Sequence, residues 1–137
     1  MTQNPNPTLS GRRALKRLIS VGERAEEIAS GMSGDVGQRF SMAAKSDMGL
    51  FAPAALSALG VPMPTMGDPD AVPRETDEEV IRFTHYRRLL LAALGQIDEN
   101  RLAAHVSVPG GGEVRLAEWL IAWETHTSGL LGVVSDP

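Results

Sequence analysis

Apolar residues recur at steps of three and four through most of this chain, with charged residues between them, the period of amphipathic helices. From Ser10, Leu15, Leu18, Ile19, Gly22, Ala25, Ile28 and Met32 trace one face. Arg12, Arg13, Lys16, Arg17, Glu23, Glu26 and Glu27 fill the other positions, and Gly31 and Gly34 mark a stop. A second helix is predicted over Val36–Ala58, with Phe40, Ala43, Asp47, Leu50, Phe51, Ala54 and Ala58 on one face. Met48, Phe51, Ala55 and Leu59 form a stripe beside it, and Pro53 is expected to kink or divide this helix. Residues 60–75 are rich in proline and read as a long connection between helices that are not close antiparallel neighbours.

A third helix opens at Thr76. Thr76 and Glu79 have the spacing of a capping box, and the acids of the first turn suit the positive end of the helix dipole. Phe83, Tyr86, Leu90, Leu94 and Ile97 follow on one face, flanked by Val80 and Leu91. Pro109 and Gly110–Gly112 then read as the tip of a small hairpin joining His105–Val108 to Glu113–Arg115. Leu116, Trp119, Leu120, Trp123, Thr127, Leu130, Leu131 and Val134 give a fourth helix. The pattern predicts an all-α fold, a four-helix bundle with a long crossover between its second and third helices, formed by one domain over residues 10–137 behind a flexible lead-in at 1–9.

Composition narrows the chemistry. The chain has 137 residues and no cysteine, which excludes a disulfide scaffold, a cysteine-bearing zinc module and a thiol nucleophile. Aromatic residues make up 4%, so the core is built from Leu, Ala, Val, Ile and Met, which suits close-packed helices. A formal charge of −4 lacks the basic excess of a general nucleic-acid binder. No apolar run reaches the roughly 20 residues of a membrane-spanning helix, and no secretory signal pattern opens the chain, so a cytoplasmic protein is expected. The basic stretch Arg12–Arg17 is balanced by Glu23, Glu26 and Glu27 and reads as a solvated face.

The order of these pieces resembles the DinB-like (YfiT-type) damage-inducible family of small bacterial four-helix proteins. The resemblance is carried best from Phe83 to Leu131, through the third helix, its acidic turn, the proline-glycine loop and the start of the fourth helix. The 60–75 connection with Asp70 resembles the family's crossover, and residues 42–51 resemble the end of its second helix. The resemblance implies a homodimer and, in active members, a metal held by one histidine of helix 2 and two histidines four apart on helix 4. Aligned on that pattern, Trp123 and Thr127 stand where the two helix 4 histidines would be, or Glu124 and Ser128 after a slip of one residue. Ala43 or Ala44 stands at the third position. The chain therefore reads as a member lacking the usual site, with no cofactor expected. A divalent metal (zinc, nickel or iron) enters only if it is a thiol transferase or hydrolase with other ligands.

Individual residues remain as pocket candidates. His126 lies among Trp123, Glu124 and Thr127, and a carboxylate beside an imidazole can tune it for acid–base work, although residues two apart on a helix do not face each other. Asp47 falls on an apolar face, which calls for a site, a buried partner such as an arginine, or a rotation that leaves it at the flank. Trp119 and Trp123, one turn apart, suit a core pair or a pocket wall. His85, beside Tyr86, Arg87 and Arg88, and His105 before the glycine run have no evident partner. The glycine run is not a phosphate loop, because no lysine follows it. The expected function is a metal-free or non-catalytic bundle protein, stress-related, with an inter-helix pocket for a small molecule formed by Asp47, His85, Trp119, Trp123, Glu124, His126 and Thr127.

Overall fold

A computed structural model describes residues 11–31, 35–63, 76–96, 100–108 and 110–133. It is mostly helical. The first helix, α1, spans Gly11–Ile28 and runs into a tighter turn at Ala29–Gly31. Helix α2 covers Val36–Ser46 and continues, through a widened turn at Asp47–Phe51, into α3 at Ala52–Leu59. Helix α4 spans Thr76–Gly95 and α5 spans Leu116–Leu131. Between them lie a short turn at Arg101–Ala103 and a ribbon of β1 (His105–Ser107) and β2 (Glu113–Arg115). Residues 64–75 of the expected crossover, the lead-in at 1–9 with Ser10, the side chain of Thr76, and Ile97 and Val134 lie outside the described residues.

Helix α1 packs on α5 and α4, and α2 packs on α4 and α5. Arg12, at the start of α1, donates to the carbonyl of Gly95 at the end of α4 (3.0 Å), so these two helices run antiparallel. Helices α2 and α5 are antiparallel as well, since Ser46, Asp47 and Phe51 meet His126, Trp123 and Trp119 in reverse order. The enclosed core holds Leu15, Leu18, Phe40, Leu56, Phe83, Leu90, Leu94, Leu116, Leu120 and Trp123, all essentially inaccessible to water. Burial of these side chains removes apolar surface from water at about 25 cal/mol per Å², the main force holding the helices together.

The widened turn resolves the ambiguity of two stripes on the second helix. Ala52 donates its N–H to the carbonyl of Asp47, five residues back, which inserts an extra residue into the turn. Pro53, in the first turn of α3, has no N–H to give, so the backbone bond missing there falls beside the bulge and the helix continues past it. The added residue advances the buried face by one position. Before it, Phe40, Ala43, Ala44 and Asp47 are buried; after it, Ala55, Leu56 and Leu59 are. Leu50, expected on the inner face, is consequently exposed, and Ala54 and Ala58 are only half-buried. Ile28, expected inside on α1, is also exposed, in the last turn of that helix.

The hairpin forms where the sequence places it. His105 pairs with Arg115, Val106 with Val114 and Ser107 with Glu113 in an antiparallel register. Gly110, Gly111 and Gly112 all have positive φ (93°, 104° and 88°), a run of backbone conformations that residues with a Cβ rarely adopt. Val106 is fully buried, and β1 packs against α3.

Candidate functional site

At the junction of α2, α4 and α5 the chain buries an ion pair. Arg87 extends from α4 with 3% of its surface exposed, and Asp47 at the start of the widened turn is 1% exposed. The Arg87 Nε donates to Asp47 Oδ2 and Nη2 donates to Asp47 Oδ1, each at 3.2 Å, the two-pronged geometry that favours arginine over lysine. Trp123 Nε1 donates to Asp47 Oδ1 at 2.5 Å. Arg87 Nη2 also donates to Thr127 Oγ1 at 2.7 Å, and that hydroxyl in turn donates to the Trp123 carbonyl at 3.0 Å. The guanidinium lies 4.9 Å from the ring centre of Phe83 and 5.7 Å from that of Trp123, within cation–π range.

Burial pushes the Asp47 carboxyl above its ordinary range, and the Arg87 charge, the hydrogen bonds from Trp123 and Arg87, and His126 pull against it. Three donors on two oxygens nonetheless form the coordination of an ionised carboxylate. Of the readings open for Asp47, the structure thus selects the buried arginine partner.

The seven expected pocket residues divide. Asp47, Trp123 and Thr127 meet in this cluster. Trp119, one turn away, donates Nε1–H to the Phe51 carbonyl at 2.9 Å, and the Phe51 ring stacks on Trp123 at 5.7 Å and tilts against Trp119 at 5.1 Å, so both tryptophans are core. Glu124 turns toward α1 and meets Arg17, with Arg17 Nη2 donating to Oε2 at 3.3 Å. Arg12 and Arg17 therefore reach across to neighbouring helices and are not merely a solvated face. His85 is exposed on α4 beside Tyr86 and takes no part in the cluster. His126 is exposed at the edge, its ring 5.4 Å from Phe51 and its Nε2 2.9 Å from Ser46 Oγ.

A serine within reach of an imidazole suggests a nucleophile and its base, but the surroundings do not complete one. An oxyanion is usually met by the backbone N–H following the nucleophile. Here that N–H belongs to Asp47 and is spent inside the helix, on the carbonyls of Ala43 and Ala44. Nor does the metal site implied by the resemblance fit these residues. Trp123 and Thr127 point into the cluster, where Arg87 already supplies the positive charge, and Ala43 and Ala44 carry no donor atom. Among the described residues no group of three His, Asp or Glu side chains could hold a metal ion.

A cavity lies on the other side of Arg87. Between α1 and α4 a half-open cleft of about 240 Å³ is walled by Ile19, Phe83 and Leu91 and floored by Gly22, Thr84 and Arg87. Glu23, Glu26, Arg88 and Ala92 form the remainder of its lining, and Arg88 Nη2 donates to Glu26 Oε1 at 3.3 Å. None of the seven expected pocket residues lines it. Two polar atoms at the floor are buried without a hydrogen-bond partner among the described residues, Arg87 Nη1 and Thr84 Oγ1. Gly22 makes this floor possible, because a Cβ there would stand 2.9 Å from Arg87 Cδ and 3.1 Å from Nη1. Sequence reasoning missed Arg87 because a cation in an amphipathic helix is ordinarily solvated. The signal available was Gly22 on an otherwise bulky face opposite Asp47's demand for a partner.

Comparisons with family models, with curated proteins and with solved structures find no match for this chain.

Proposed function

We propose that the chain is a metal-free, non-catalytic four-helix bundle of the DinB-like type that binds a small molecule in the cleft between α1 and α4. One observation carries this reading. Arg87 spends Nε and Nη2 on Asp47 and Thr127 and leaves Nη1, a buried donor without a partner, on a residue that lines a largely apolar cleft. An unpaired buried donor costs about 1–3 kcal/mol, and a ligand acceptor would recover that cost on binding. Apolar walls with few convergent polar groups are the usual make-up of small-molecule sites. At the positions the resemblance assigns to metal ligands, the side chains of Trp123 and Thr127 serve the internal ion pair instead, Trp123 donating to Asp47 and Thr127 accepting from Arg87.

The test is metal analysis of protein purified without a histidine tag, followed by thermal denaturation of the same sample against a panel of small molecules. Expected are no stoichiometric zinc, nickel or iron, and concentration-dependent stabilisation by some compounds, about 2.7 kcal/mol at a hundredfold excess over Kd. One equivalent of tightly bound metal would overturn the reading in favour of a metal-dependent transferase or hydrolase.

A further inference from the structure

We infer that the cleft between α1 and α4 takes an uncharged, mainly apolar molecule carrying one oxygen acceptor, which receives a hydrogen bond from Arg87 Nη1. This rests on reading the cleft as a ligand site and adds the chemical class of the ligand.

Shape and charge each narrow the class. Arginine recognises carboxylates and phosphates with two parallel N–H groups. Arg87 has committed Nε and Nη2 to Asp47 and Nη2 also to Thr127, so the N–H groups left are both on Nη1, and the parallel fork from two nitrogens is no longer available to a ligand. A carbonyl or hydroxyl oxygen suits such a site. The charge of Arg87 is already balanced by Asp47 at 3.2 Å, and the rim carries Glu23 and Glu26 against Arg88 alone. An anion would enter a cleft with an excess of negative charge and would find no uncompensated cation at its floor.

The body of the ligand is set by the walls. Ile19, Phe83 and Leu91 present apolar surface, and about 240 Å³ equals roughly eight water molecules in volume, room for one substituted ring or a short acyl chain. Thr84 lies three residues before Arg87 on the same face of α4, so its unpartnered hydroxyl supplies a second polar contact beside Nη1. Gly22 lets the Arg87 side chain lie directly against α1 here, since a Cβ would stand only 3.1 Å from Nη1.

Three probes of similar shape separate the contributions: toluene, benzamide and benzoate, titrated into ¹⁵N-labelled protein while the amide of Gly22 and the Nε–H of Arg87 are followed by NMR. Benzamide should shift both signals and bind at least about tenfold tighter than toluene or benzoate, a difference of ~1.4 kcal/mol. Thr84→Val, which keeps the branched shape, should weaken benzamide and leave toluene unchanged. Ala92→Trp, a plug placed from an exposed position, should abolish the shifts of all three probes.

Benzoate binding as well as benzamide would overturn the assignment of an uncharged ligand while leaving the cleft a ligand site. Equal binding of toluene and benzamide would overturn the hydrogen bond to Nη1, with solvent serving that donor. No shift at Gly22 with any probe would overturn the proposed function together with this inference.

Discussion

Arg87 and Asp47 decide the character of the centre of this molecule. A buried pair of this kind is a weak source of net stability, because two desolvations offset the attraction. Removing one partner is a different matter, since it strands a charge in the core. Arg87→Met and Asp47→Leu should each cost about 3–5 kcal/mol, whereas the double variant should lie within about 1–2 kcal/mol of the parent. Urea denaturation of the four proteins gives the cycle. A double variant as unstable as the sum of the singles would mean that Arg87 and Asp47 are not each other's principal partner, contrary to their two-pronged contact.

At the scale of elements, two helix glycines that look alike in sequence should respond in opposite directions. Gly49 sits in the widened turn, exposed, with nothing within 4 Å of the point where a Cβ would stand, so Gly49→Ala should stabilise by about 0.4–1 kcal/mol through lost freedom of the unfolded chain. Gly22 in α1 faces Arg87 at 2.9 Å, so Gly22→Ala should destabilise and shift the Trp123 indole N–H resonance as the guanidinium moves off Asp47. The same sign for both would refute the close packing of α1 on Arg87. These elements also show what periodicity can and cannot reveal. Helices α1, α4 and α5 and the place of the hairpin follow from spacing and turn residues, because those are local properties. The buried face of α2 and α3 followed in part: the stripe Met48, Phe51, Ala55 and Leu59 is buried, but a single inserted residue at Asp47–Phe51 turns Leu50 outward and Leu56 inward without altering the apolar count. The cluster was half legible. Asp47, Trp123 and Thr127 stood out as polar or bulky residues on inner faces, but Arg87 is recognised only when α1 and α2 are brought against α4 and Thr127 of α5 comes within its reach.

For the whole molecule, the dependence of stability on pH follows from two carboxylates displaced in opposite directions. Burial raises Asp47, so its folded form holds a proton that the unfolded chain releases earlier. Its contribution is fully present below the ordinary carboxylate range and is lost as pH rises from about 4 through the raised value. Glu118, at the surface, is lowered by the backbone N–H and then the side chain of Arg115, which donate to its carboxylate at 3.3 Å. Its contribution is present above the ordinary glutamate value and is lost as pH falls below about 4.3. Denaturant unfolding measured from pH 3 to 8 should therefore weaken on both sides. Glu118→Gln should flatten the acid side alone, and Asp47→Asn, which cannot ionise, should flatten the decline above about pH 4. If Asp47→Asn left the slope above pH 4 unchanged, the carboxyl would be titrating as in the unfolded chain, and the desolvated junction of α2, α4 and α5 that floors the cleft would have to be wet.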